Sequence, residues 1–177
     1  MPPSHPAREI LTLSRTPTVA AAVLGFLVTT SPARADHFAI DLEARDGKAS
    51  QTAHAEAAGR GATPKPRKAL EARAGDSITV RWKLCNTDPK STSKDVLVHF
   101  VAVKEEKAGQ AAVPKLDKGV LAETALTMDF RPRDAAEGEV KFVVREKGPY
   151  LVRLETIGAS VGLGGHEDFA ALDLIVR

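Results

Sequence analysis

The chain has 177 residues with 25 basic and 23 acidic side chains, one cysteine, one tryptophan and one tyrosine. A single cysteine excludes an intrachain disulfide, so stability has to come from burial. A net charge of +2 is far from the basic excess of a nucleic-acid or anionic-membrane binder, and scarce aromatics weigh against a sugar-binding platform of exposed rings.

The N-terminus has the three parts of a secretory signal. Arg8 and Arg15 precede an apolar core from Val19 to Val28, and small residues at Ala33 and Ala35 form the A-x-A pattern cut by a signal peptidase. The apolar core spans 10 residues, against the ~20 that a membrane-spanning helix needs. Met1–Ala35 is therefore expected to be removed, leaving a mature chain that starts at Asp36 and is secreted or periplasmic. No cysteine lies near the cut, which argues against a lipid anchor, and nothing later is apolar enough to insert in a membrane. Arg8, Arg15, Arg34 and Glu9 leave with the signal, so the mature chain carries 22 basic and 22 acidic residues.

From residue 36 to 177 the pattern is that of one domain. Phe38, Ile40 and Leu42 alternate with polar neighbours, the period of a half-buried strand. Asp46 to Arg67 is rich in Ala, Gly, Lys and Pro and is expected to be a long mobile loop, because Pro64 and Pro66 forbid a helix. Leu70 opens a short strand, Ala74-Gly75-Asp76 turns the chain, and Ile78, Val80, Trp82 and Leu84 then share one face. Val96 to Val103 is apolar on both faces, as a central strand would be. Lys104 to Gly119 is polar, with room for a short helical turn. Further strands are expected at Thr124–Phe130, Val140–Val144, Tyr150–Thr156 and Phe169–Val176, the last reached through the glycine-rich Gly158–Gly165. Strands without intervening helices imply an all-β fold, an antiparallel Greek-key sandwich of about eight strands.

Two stretches carry a resemblance to known families. Leu70 to Asp88 has a strand, an A-G-D turn, an alternating strand and Asn86-Thr87-Asp88; Gly148 to Val176 has Gly148-Pro149-Tyr150, a loop with His166 and a final apolar strand. This order is similar to the secreted cupredoxin-like and immunoglobulin-like sandwiches, and the cupredoxin resemblance implies copper ligands near the last strands. A type 1 copper centre needs a thiolate with two imidazoles. The chain has no cysteine after Cys85, and Leu154 and Glu155 stand where the family's cysteine would fall. The resemblance therefore extends to the fold and not to blue-copper electron transfer.

The candidate site residues are few. His99, inside the apolar VLVHFVAV run, reads first as a hydrogen-bonded core residue. His166, with Glu167 and Asp168 beside it, offers imidazole and carboxylate donors suited to zinc or copper. A metal site would need His99, His166 and Glu155 to converge. His54 has no evident partner, and His37 would chelate copper only if processing also removed Asp36. Arg81 and Lys83 flank Cys85 on its strand face, although a passive thiol is the simpler reading. No G-x-S-x-G, H-E-x-x-H or phosphate-binding glycine loop is present. The expected function is an exported, non-catalytic binding module without a cofactor, its partner an unidentified protein or cell-envelope component. The alternative is a cell-envelope copper or zinc protein using His166, His99 and Glu167.

Overall fold

Period-two alternation of apolar and polar residues gives each strand one face to bury, and two facing sheets are the simplest way to bury them all. The computed structural model describes residues 38–55, 66–110, 112–158 and 167–177, with Glu167 described by its backbone alone. The signal segment Met1–Ala35, His37, residues 56–65 of the expected loop, and His166 lie outside the described residues. The strands are β1 (Phe38–Arg45), β2 (Ser50–Ala55), β3 (Ala69–Ala72), β4 (Ser77–Asn86), β5 (Ser93–Lys104), β6 (Val120–Phe130), β7 (Ala135–Val143), β8 (Gly148–Ile157) and β9 (Glu167–Val176).

These nine strands form a β-sandwich. One sheet has the order β2-β1-β4-β7 and the other β3-β9-β8-β5-β6. The core between them is built from Phe38, Ile40 and Leu42 of β1, Ile78, Val80 and Leu84 of β4, and Val98 and Phe100 of β5. Leu154 of β8 and Leu172 and Leu174 of β9 complete it. Each such side chain, fully buried, contributes about 1.5–3 kcal/mol. The expected alternation in β4 is therefore observed, as is the interior place of β5, flanked by β8 and β6.

Three expectations need correction. First, Ser50–Ala55 is a strand, not loop: Asp46-Gly47 makes a tight turn that returns the chain antiparallel along β1. Asp46 Oδ1 accepts the amides of Lys48 and Ala49 at 2.8 and 2.7 Å, and Gly47 takes a φ of 90° that suits glycine. Second, the pairing is not wholly antiparallel. The turn at Gly75 (φ 101°) carries the chain from β3 in one sheet to β4 in the other. Freed from its sequence neighbour, β3 lies parallel to the C-terminal β9. Third, the segment after β5 has no helix among its described residues. It crosses the outer face of the second sheet, where Leu116 covers Val101, Val103 and Leu151. That cover is why both faces of β5 are apolar.

The Asn86-Thr87-Asp88 segment has a structural role. Asn86 is wholly buried; its amide donates to the carbonyls of Ser91 and Arg131, both at 3.1 Å, and of Phe130 at 3.5 Å. Its Oδ1 accepts the Asp88 amide at 2.9 Å. One side chain thus joins the β4–β5 loop to the corner between β6 and β7. No helix among the described residues is long and apolar enough to cross a membrane.

Candidate functional site

Trp82 lies on the core face of β4, yet it is only half-buried. The β4–β7 register sets Gly138 directly opposite it. A Cβ built on Gly138 would fall 2.4 Å from Trp82 Cζ2 and 2.6 Å from Cε2, so only glycine leaves room for the indole there. β6 and β7 are edges of opposite sheets among the described residues, joined by a turn at Arg131–Asp134. The sandwich is open between them. The opening is a cleft of about 130 Å³ lined by Trp82, Val98, Phe100, Leu126, Val140 and Leu154, with Thr124 and Glu139 beside it. Apolar walls with few polar groups suit an apolar guest.

The second feature is on the outer face of the other sheet. His99 projects there between β8 and β6, with Nδ1 at 2.7 Å from Glu155 Oε1 and Nε2 at 3.1 Å from Glu123 Oε1. Glu155 Oε2 accepts Arg153 Nε at 2.6 Å, and the Arg153 guanidinium lies 3.7 Å from the centre of the Phe169 ring. Burial of the His99 ring opposes its charging. The hydrogen bonds and charges of Glu155 and Glu123 outweigh this and raise its pKa above the ordinary histidine value. Burial pulls the Arg153 pKa down, with Glu155 opposing. Farther along this face Arg67 bridges Glu105 and Asp173 at 2.8 and 2.6 Å. Burial raises the Glu105 pKa, against the pull of Arg67.

His99 and Glu155 do meet, as a metal site would require, but the geometry is that of an ion-pair chain. The two carboxylates address opposite nitrogens of the ring, so these three groups share no point where an ion could sit. Among the described residues no group of three or more His, Cys, Asp or Glu is placed to hold a metal. His166 lies outside the described residues, and of Glu167 only the backbone in β9 is described. The neighbouring Asp168 is buried, and its Oδ2 accepts the Phe38 amide at 2.8 Å. His54 has a partner after all: its Nδ1 lies 2.5 Å from Asp41 Oδ1 across the β1–β2 pair. Cys85 Sγ is half-covered and contacts the carbonyls of Asn86 and Arg133 at 3.6 and 3.9 Å.

The outer face of the first sheet is charged in stripes. Asp41 and Glu43 on β1 stand opposite Lys83 and Arg81 on β4, which stand opposite Glu137 and Glu139 on β7. Lys141 and then Arg81, both bonded to Glu139, hold its pKa down at about 2. Such cross-strand pairs suit a solvated face.

The sequence points to Glu155 as a neighbour of His99, but not to Glu123 or Gly138. The expected strand starts at Val140, whereas β7 starts at Ala135 and so contains Gly138, and a glycine inside a strand marks the close approach of another group. Glu123 lies 24 residues from His99, and only strand register brings the two together.

No protein-family model matches the chain, and no curated protein matches it. Among solved structures it is similar to the C-terminal domain of wzt, with 9% identity, 77% of this chain and 70% of that chain covered, and a TM-score of 0.41.

Proposed function

We propose that the chain is an exported, non-catalytic binding module that receives an apolar side chain of a partner polypeptide in the cleft between β6 and β7. The observation that carries this is the Trp82–Gly138 pair: it leaves a half-buried indole and about 130 Å³ of apolar-walled space open at the side of the sandwich. A space of this size suits one leucine- or benzene-sized group; an engineered apolar cavity of ~150 Å³ elsewhere takes up benzene. Supporting the non-catalytic part, both nitrogens of His99 are engaged by carboxylates, and Cys85 contacts backbone carbonyls instead of a base. Export rests on the Arg8–Ala35 signal pattern. Its check is the N-terminus of protein recovered from the periplasm of a bacterial host, which should be Asp36.

The binding test uses displayed random peptides selected on the purified protein and counter-screened on Gly138→Ala, in which the displaced indole closes the cleft. Peptides sharing an apolar residue, and at least ~10-fold weaker on the plugged variant, are expected; a tenfold loss corresponds to about 1.4 kcal/mol. Peptides that bind both forms equally would refute the cleft as the contact site.

A further inference from the structure

Strand β6 ends its sheet among the described residues, and its exposed edge differs from the other edges in how little protects it. β3 has 4 residues and β2 has 6, whereas β6 has 11. β7 carries Lys141, bonded to Glu139 on the same strand. β6, with the sequence VLAETALTMDF, contains no Lys, Arg or Pro, the usual devices against unwanted strand pairing. Between the irregularities at Ser93/Val96 and Ala102/Val103, its ladder with β5 runs regularly from Ala122 to Met128. A regular ladder leaves the opposite edge of the same strand suitably spaced for another strand.

The two faces of that edge specify different side chains. Thr124 and Leu126 face the Trp82 cleft, and Phe130 is in the core. Glu123 and Asp129, six positions apart, lie on the outer face and are the only charged residues of β6. Glu123 bonds His99 there and is 44% exposed, and Asp129 accepts the Asp95 amide. We infer that the partner, on the reading of the cleft given above, is an extended segment that adds to the β6 edge as a new strand. One apolar side chain of the segment enters the cleft, its alternate apolar neighbours lie along the inner face of the edge, and basic side chains six apart lie against Glu123 and Asp129. Main-chain hydrogen bonds supply affinity in this mode, and alternate side chains supply specificity. The only charges that a second copy of β6 would bring to the outer face are acidic, so it is a poor occupant.

The heptapeptide acetyl-Lys-Leu-Thr-Leu-Thr-Leu-Lys-amide matches both faces, and its binding to the unmodified protein is the test. Titration should be saturable, with slowed hydrogen exchange of β6 amides. Replacing both Lys by Glu should weaken binding by roughly 10-fold or more, since each cross-strand charge pair changes from favourable to unfavourable. N-methylation of alternate amides removes the main-chain donors without changing the side chains, and it should abolish binding. An N-methylated peptide that binds as well as its parent overturns strand addition while leaving the cleft reading in place. Loss of binding to all three peptides, new protection on β2 in place of β6, or peptide-free dimers paired through β6 would each overturn the inference. The peptide selection judges the cleft reading independently of these outcomes.

Discussion

Replacing Gly138 by alanine is the most informative single change, because one contact sets its effect. The added Cβ would sit within 2.4–2.9 Å of Trp82 Cζ2, Cε2 and Nε1, and real Cβ atoms do not approach that closely, so the indole has to move. Overpacking of this kind costs about 1–3 kcal/mol. Because the ring borders an open cleft of about 130 Å³, it can swing aside, and the cost should fall in the lower half of that range. The backbone contributes with the opposite sign: Gly138 is not in the left-handed region, and glycine inside a strand is worse than alanine by roughly 0.5–1 kcal/mol. In a Trp82→Ala background the clash is gone, so Gly138→Ala should become neutral or stabilising. The backbone gain cancels in the double-mutant cycle, which should give a coupling of about 1–2 kcal/mol. Urea denaturation followed by far-ultraviolet circular dichroism measures it without the sole tryptophan, and 2 kcal/mol moves the midpoint by roughly 1 M. Equal destabilisation by Gly138→Ala in both backgrounds would refute the packing argument.

Other expectations follow from the same structure. Asn86→Ala removes a wholly buried side chain that serves three carbonyls and one amide, and should cost about 2–4 kcal/mol in the same denaturation assay. A loss below about 0.5 kcal/mol would mean that the loop does not depend on it. The raised pKa of His99 stabilises the fold fully below the unfolded histidine value near 6.5, and that contribution is lost as pH rises through the folded pKa. The stability difference between the protein and Glu123→Gln should therefore be larger at pH 5.5 than at pH 8.5 (roughly one unit below and two above that value); a pH-independent difference would contradict the ion-pair assignment. Equilibrium dialysis against copper or zinc is expected to leave the protein metal-free. Stoichiometric binding that survives His54→Ala and disappears in His166→Ala would favour the metal-handling alternative instead.

Much of the sandwich was legible because large apolar residues mark its strands. Ile78, Val80 and Leu84 announce β4, and the double-sided run from Val96 to Val103 announces β5. β2 was hidden because Gln51, Ala53 and Ala55 form its half-buried face, too small and too polar to register as an apolar alternation. Asp46-Gly47 was the better clue, and it was outweighed by the composition of the longer stretch. The parallel β3–β9 pair was not legible, since pairing depends on where the Gly75 turn sends the chain, and local pattern does not encode that. Alternation puts Trp82 on the core face, but its partial exposure depends on Gly138, 56 positions away. The apolar run around His99 implies a hydrogen-bonded core residue, whereas its partners come from β6 and β8 on the outer face of the sheet.

Trp82 marks the proposed contact site, and the protein has no other tryptophan. Its Nε1–H therefore gives a single indole resonance in a nitrogen–proton correlation spectrum. Titration with a peptide selected on the purified protein should shift that resonance, together with the amides of Thr124, Leu126 and Val140, along one saturable curve. An unmoved indole resonance, with the shifts gathered instead on the charged outer face around Asp41, Arg81 and Glu137, would contradict the account.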